Sequence, residues 1–159
     1  MTWKAMSIEQ LFDVLEFWDG LPWPLDRTEA FQRATELGWV VDSADGMLHN
    51  PVNAFTLPAV QVVIVESPEQ VASVSFWVSD VLQDPTPADT DRLSDDFATM
   101  VKKGRQRWGR PRLKRVKTDQ LATWDLASGA RLTLARSDQD ITADYYTPFY
   151  AGVLRELGE

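Results

Sequence analysis

Apolar residues recur at helical spacing in two segments near the N-terminus. Ser7 and Gln10 form a Ser-x-x-Gln capping box, and the apolar residues that follow are three or four positions apart. Gly20 ends this helix ahead of a Pro-rich turn. A second helix begins at Asp26 and ends at Gly38, where a left-handed residue is expected. Together the two segments predict a helical hairpin.

The middle and the end of the chain each predict one further helix. Thr86 and Pro87 have the residue types of an N-cap and a first helical position, and the apolar stripe behind them continues to about Trp108. Thr147 and Pro148 repeat that start for a short C-terminal helix. The helix that begins at Thr86 is therefore the longest that the sequence predicts.

Elsewhere the apolar residues alternate with polar ones or form short continuous runs, as in strands. In 71–78 the apolar residues alternate with Ser73, Ser75 and Trp77. Strands are predicted over 39–42, 59–66, 71–78, 113–118, 122–126 and 131–136, with a further one over 141–146. The order predicts an α+β protein with one domain over 1–159. Its antiparallel sheet of about six strands is packed by an N-terminal helical hairpin, one long middle helix and a short C-terminal helix.

Composition narrows the class of protein. With 159 residues, 44% apolar residues and seven Trp, the chain is large and apolar enough to fold around a core. It contains no Cys, which excludes disulfides and thiolate metal sites. No apolar run is long enough to cross a bilayer, and the N-terminal segment lacks the basic start and unbroken apolar run of a signal peptide. We therefore expect a cytoplasmic protein with no membrane partner.

Sequence motifs for catalysis or cofactor binding do not occur. There is no Gly-x-Gly-x-x-Gly and no Walker loop, so no cofactor is expected. His49 is the only histidine, and no Gly-x-Ser-x-Gly elbow accompanies it. Asp138 and Asp140 lack the Gly and Glu of a calcium loop and are typical of a turn. The sequence predicts a non-enzymatic protein, and a hydrolase with a carboxylate site is the last-ranked alternative.

Positive charge is concentrated in one segment. Nine of the sixteen Lys and Arg residues lie in 102–117, which holds no Asp or Glu, although the whole chain carries −8. The helix dipole explains part of this pattern, because acidic residues begin the long helix and basic residues end it. Beyond that helix, Arg110, Arg112, Lys114 and Arg115 are candidates for contact with an acidic partner or with phosphates. A charged strand edge that resists strand pairing is the alternative.

Two other parts of the surface are candidates for docking. Asp13, Glu16 and Asp19 lie on the outward side of the first predicted helix, where an acidic surface attracts cationic proteins. Solvated helix faces are also ordinarily charged, so this pattern is not specific. Trp77 falls on the polar side of its strand, and exposed Trp side chains are frequent interface anchors. A terminal helix that covers Trp77 is the alternative.

Three short motifs carry a resemblance to known proteins. They are Leu-Gly-Trp at 37–39, Gly-Arg-Pro at 109–111, and Trp-x-Leu-x-x-Gly-x-x-Leu-x-Leu at 124–134. In these motifs the chain resembles a family of uncharacterised small actinobacterial proteins. Proteins of that kind accompany polymorphic or type VII-secreted toxins as immunity proteins or chaperone-like partners. The resemblance implies a protein-binding role and carries over no catalytic residue.

The sequence as a whole predicts a non-enzymatic protein-binding module. Its partner would be a toxin that it inhibits, as an immunity protein does, or accompanies, as a chaperone does. The candidate contact residues are Trp77, Arg110, Arg112, Lys114 and Arg115, or alternatively Asp13, Glu16 and Asp19. A nucleic-acid binder that uses 102–117 is the alternative function, and the acidity of the remaining chain disfavours it.

Overall fold

The structure is a computed structural model that describes residues 3–42, 47–49, 62–66 and 70–159. Within these ranges the chain forms four α-helices and eight strands. The helices are α1 Ile8–Asp19, α2 Arg27–Ala34, α3 Pro87–Trp108 and α4 Pro148–Glu156. The strands are β1 Val40–Asp42, β2 Met47–His49, β3 Val62–Glu66, β4 Val71–Trp77, β5 Arg112–Val116, β6 Asp119–Asp125, β7 Arg131–Arg136 and β8 Ile141–Tyr146.

Local side-chain chemistry starts and ends the helices at the predicted positions. The Ser7 hydroxyl accepts a hydrogen bond from the Gln10 N–H at 3.1 Å, and the Gln10 side chain accepts from the Ser7 N–H at 2.9 Å. A 3-10 turn, Thr35–Leu37, follows α2, and Gly38 ends it with φ +82°. Thr86 caps α3 with a capping box of the same kind. The helical predictions are therefore confirmed.

The eight strands form one antiparallel sheet in the order β1-β2-β3-β4-β8-β7-β6-β5. Two meanders, β1–β4 and β5–β8, meet where β4 pairs with β8. The predicted α+β architecture is confirmed: β3–β8 make up six strands, and the three-residue strands β1 and β2 extend them at one edge. The part of the second predicted strand at 59–61 and the side chain of His49 lie outside what the structure describes.

One face of the sheet, here called the core face, carries the apolar core. Phe76, Ala143, Leu134 and Ala122 are cross-strand neighbours on β4, β8, β7 and β6, and each is at most 2% exposed. The next residue in this row, Leu113 of β5, is 63% exposed. Burial on the core face therefore stops between β6 and β5.

Helices α1 and α3 cover the core face. α1 contacts β8, and α3 contacts β7. Gly104 of α3 lies so close to β6 that a Cβ at this position would be 2.7 Å from Cζ2 of Trp124. The Trp124 indole donates a hydrogen bond to the Gly109 carbonyl at 2.7 Å, and its ring contacts Trp108 edge to face. Absence of a side chain at Gly104 is what lets α3 pack this tightly on β6.

The opposite face of the sheet, here called the open face, is more polar, and α4 lies against one end of it. Tyr150 of α4 contacts Tyr146 of β8, with ring centroids 6.0 Å apart. The Arg131 guanidinium donates to the carbonyl of Glu159 at 2.7 Å. Among the residues that the structure describes, no helix has both the length and the apolarity needed to cross a bilayer.

Candidate binding groove

A groove of about 560 Å³ runs between the second half of α3 and the hairpin of β5 and β6. Its apolar lining comes from Phe97, Ala98 and Val101 of α3 and from Leu113 and Leu121 of the hairpin. Its polar and cationic lining consists of Lys102, Arg105, Lys114, Arg115 and Gln120. Pockets of this volume, with apolar walls and a few polar groups, are typical of binding sites.

The groove follows from how α3 sits on the sheet. The helix packs on β7 and, through Gly104, on Trp124 of β6, and the described contacts stop short of covering β5. Leu113 and Arg115 point to the core-face side of β5, because Leu113 is paired with the buried Ala122 and side chains alternate along a strand. The edge strand thus forms one wall of a cleft whose other wall is α3.

The basic side chains of 102–117 do not lie on one surface of the molecule. Alternation along β5 sends the side chains of Arg112 and Lys114 toward the open face and that of Arg115 into the groove, although Lys114 also borders the groove. On α3, Lys102 and Arg105 line the groove, whereas Arg107 turns toward α1. Arg110 is exposed in the connection between α3 and β5. A charge run in sequence is therefore divided over three surfaces.

Two residues of this segment are held in ion pairs. Arg107 pairs with Glu16 of α1. Arg112 pairs with one oxygen of Asp125 at 2.5 Å, and Arg131 binds the other oxygen at 3.0 Å. Burial raises the pKa of Asp125, but hydrogen bonds from the two guanidinium groups outweigh burial and hold the pKa below its usual value. Arg112 and Glu16, both predicted contact residues, are thus engaged within the molecule.

The other basic residues of the segment remain available. In the described ranges, each is exposed and none lies in an ion pair with a carboxylate. They are Lys102, Lys103, Arg105, Arg110, Lys114, Arg115 and Lys117. Because four of them line the groove, the groove is the point where exposed apolar surface and unneutralised positive charge coincide.

Trp77 lies on the open face and away from the groove. It shares a cross-strand row with Thr142, Ala135, Leu121 and Lys114, so four strand spacings separate it from Lys114. That separation is roughly 19 Å. The Trp77 indole donates a hydrogen bond to Asp140 at 3.0 Å, and the side chain is half-buried. Trp77 shares a face of the sheet with Arg112 and Lys114 but does not form one contact surface with them.

The acidic residues of α1 are also divided. Asp19 accepts hydrogen bonds from the Ser128 hydroxyl at 2.6 Å and from the Tyr145 hydroxyl at 2.9 Å, which ties α1 to the sheet. Glu16 pairs with Arg107, and Asp13 is exposed. α1 lies over β8 and the groove lies at β5, with α3 between them. The predicted acidic surface is therefore reduced to Asp13 and does not adjoin the groove.

Carboxylates on the open face are engaged in structural hydrogen bonds. The Ser75 hydroxyl donates to Asp144, and burial raises the pKa of that carboxyl while the hydrogen bond acts the other way. Asp140 accepts from both Trp77 and Ser137. Within the described ranges, no group of three or more His, Asp or Glu side chains is arranged to hold a metal ion.

Most residues that line the groove are not among the contact residues predicted from the sequence. Lys114 and Arg115 are predicted contact residues, Lys102 and Arg105 belong to the basic segment 102–117 that was the predicted nucleic-acid site, and Leu113 was not a candidate. One signal was available: Leu113 is an apolar residue between charged neighbours in a strand whose other residues are mostly basic. The helical wall carried no local signal, because the pairing of α3 with β5 across the groove is a tertiary contact.

Comparison with known proteins gives one match. A family of unknown function, DUF6301, matches residues 9–147, and the chain belongs to this family. The predicted membership in a family of uncharacterised proteins is confirmed in this form. The match says nothing of source organism or of toxins, which stay predictions. No curated protein and no solved structure matches the chain.

Proposed function

We propose that this member of DUF6301 is a non-enzymatic module that binds an acidic segment of another protein in the groove between α3 and β5. The observation that carries the proposal is the position of Leu113. It is 63% exposed and lines the groove together with Lys102, Arg105 and Arg115, none of which has a carboxylate partner in the described ranges. Exposed apolar surface rimmed by polar groups is typical of interaction sites.

The two kinds of side chain in the groove would have separate tasks. Burial of Leu113 and its apolar neighbours would stabilise a complex by about 25 cal/mol per Å² of apolar surface removed from water. The cations would select acidic segments and speed their approach, since complementary charge raises association rates. The acidic remainder of the chain repels anions in general, which restricts attraction to the neighbourhood of the groove.

The resemblance noted from the sequence suggests a specific biological form of this activity. In that form the partner is a toxin, the protein acts in the cytoplasm as an immunity or chaperone-like protein, and inhibition is steric. An acidic segment of the toxin would fill the groove, and the body of the protein would cover the surface next to it.

Capture of a partner by matched charge variants tests the proposal. Tagged wild-type protein, Arg105→Glu and Lys103→Glu are each used to capture proteins from the native host at physiological salt. Both substitutions reverse one charge on α3, but only Arg105 lines the groove. A partner retained by wild type and Lys103→Glu and lost with Arg105→Glu supports the proposal. A partner that both variants retain as well as wild type does, or that neither retains, contradicts it.

Nucleic-acid binding is the second candidate. It is favoured by the seven cations of 102–117 that form no ion pair with any carboxylate in the part of the chain that the structure describes. Titration of a duplex oligonucleotide at several salt concentrations distinguishes the two. A nucleic-acid binder shows a log–log salt slope of about −0.9 for each phosphate contacted. Because these cations do not share one surface and the molecule is acidic overall, we expect no binding at about 50 mM salt.

A further inference from the structure

Strand β5 is an edge of the sheet. It pairs with β6 on one side and stands last in the strand order, and all five of its residues are exposed. An edge strand presents backbone N–H and C=O groups that another extended chain can pair with. In this protein the edge also forms the outer wall of the groove.

The register of the hairpin shows which backbone groups face outward. Lys117 and Thr118 form a two-residue turn between the paired Val116 and Asp119, and such a turn closes with a hydrogen bond across that pair. In an antiparallel ladder, hydrogen-bonded pairs alternate with pairs whose backbone groups point away from each other. Lys114 and Arg112 therefore bond to β6, and the N–H and C=O groups of Leu113 and Arg115 point to the free edge.

The same two residues direct their side chains into the groove. Leu113 and Arg115 lie on the core-face side of β5 and line the groove, together with Lys102 and Arg105 of α3. A strand that paired with this edge would place alternate side chains in the groove and the others over the open face. The edge and the groove are thus two parts of one extended binding surface.

Charge decides which strand fits. A second copy of β5 would bring its own Arg112, Lys114 and Arg115 against the same three residues, and directly opposed like charges destabilise a strand pair. A strand with acidic side chains would meet opposite charge at the edge and in the groove. The basic residues that protect the edge from general aggregation would then also select its partner.

We propose that an extended segment of the partner protein adds to β5 as a ninth strand beside the eight described ones, with acidic and apolar side chains alternating along the one face of the segment that enters the groove. This inference rests on the proposed function, since it specifies how the same groove is occupied. Backbone pairing at Leu113 and Arg115 would hold the segment, and its apolar side chains would pack against Leu113. Its carboxylates would pair with Lys102, Arg105 and Arg115.

A labelled peptide that repeats Glu-Thr-Val-Thr is the probe, because as a strand it carries Glu and Val on one face and Thr on the other. Its binding is followed by fluorescence anisotropy. Two substitutions at Leu113 distinguish the contribution of its side chain to peptide binding from that of its backbone N–H. Leu113→Ala removes the apolar contact, whereas Leu113→Pro also removes the outward N–H, a position where Pro costs no hydrogen bond to β6. We expect Leu113→Pro to weaken binding at least about tenfold more than Leu113→Ala does. Equal weakening by the two variants overturns strand addition.

Amide exchange in the wild-type protein gives a second test that does not depend on how Leu113→Pro folds. Saturating peptide is expected to slow exchange at Leu113 and Arg115, while Lys114 is already protected by β6. If the peptide binds wild type, loses binding to Arg105→Glu and does not slow exchange at Leu113 and Arg115, the groove proposal stands and strand addition is overturned. No binding up to about 1 mM peptide overturns both. Concentration-dependent protection of the same amides without peptide means that a second copy is the occupant, and also overturns the inference.

Discussion

Strands β6 and β5 are neighbours in the same hairpin, yet the same face of each meets a different environment. On β6, Ala122 and Trp124 are buried beneath α3. On β5, Leu113 is opposite Ala122 and is 63% exposed. The difference arises because Gly104 seats α3 on β6 and the helix does not extend over β5. The packing of α3 on β6 stabilises the fold, and the surface of β5 that α3 leaves uncovered is available for binding.

The largest expected effect tests the buried side of this comparison. Trp124→Ala removes a side chain that packs against Trp108 and Gly104, and we expect it to lower the free energy of unfolding by about 3–5 kcal/mol. Leu113→Ala, on the adjacent strand, is expected to change it by less than about 0.5 kcal/mol. Chemical denaturation of both variants measures the two values. Similar losses would show that β5 is part of the core.

Gly104 provides a second and smaller test. A Cβ at this position would overlap the Trp124 ring, so Gly104→Ala is expected to lower the free energy of unfolding by about 1–3 kcal/mol. Gly152 in α4 is the matched control, because nothing lies within 4 Å of its Cβ position. Gly152→Ala should stabilise by about 0.5–1 kcal/mol through helix propensity. The prediction fails if both substitutions shift the denaturation midpoint in the same direction.

The third test concerns Asp125, which links β5 to β6 and β7 through Arg112 and Arg131. The pKa of Asp125 is lower in the folded than in the unfolded protein, so the ionised carboxylate stabilises the folded state. This stabilisation is complete above the pKa of the unfolded state and is lost as the pH falls through the pKa of the folded state. Asp125→Asn should destabilise by about 1 kcal/mol at neutral pH, a value limited by solvent screening. Its denaturation curve should converge with that of wild type in the acid range.

Asp144 is the control for that pH dependence. Burial raises the pKa of Asp144, so ionisation of this carboxyl destabilises the folded state, whereas ionisation of Asp125 stabilises it. The loss in free energy of unfolding caused by Asp144→Asn, relative to wild type, should therefore be smallest at neutral pH and largest in acid. Parallel pH profiles for the two Asn variants would contradict the account of both carboxylates.

The smallest expected effect concerns the turn that carries the β5–β6 hairpin. Lys117 has φ +58°, a left-handed conformation that L-residues adopt at a cost. Lys117→Gly removes this strain, and the greater freedom of Gly in the unfolded chain offsets part of the gain. We expect a net stabilisation of about 0.5 kcal/mol in thermal unfolding. A loss of stability would indicate that the Lys117 side chain makes a contribution that outweighs the strain.

The helices and the strands β7 and β8 were predicted correctly, whereas the start of β6 was not. Ser7 and Gln10 fix the start of α1 through contacts between residues close in sequence. The β5–β6 hairpin turns at Lys117 and Thr118, which lack the usual Gly or Asn, so the sequence placed the second strand at 122–126 rather than at Asp119–Asp125.

Candidate contact residues show the same limit. Composition located the basic segment, but the side to which each basic residue points depends on the helix end and on strand alternation. Glu16 and Asp19 have the pattern of a solvated helix face, and their partners Arg107, Ser128 and Tyr145 are far away in sequence. Nothing in α1 alone distinguishes such residues from free surface charges.

The affinity ratio of two matched charge reversals tests the central claim most directly. The peptide that repeats Glu-Thr-Val-Thr is titrated into wild type, Arg105→Glu and Lys103→Glu under one salt condition. The account predicts a loss of at least about tenfold for Arg105→Glu and little change for Lys103→Glu, because only Arg105 lines the groove. Equal losses would mean that net charge, and not the groove, attracts the peptide, which would contradict the account.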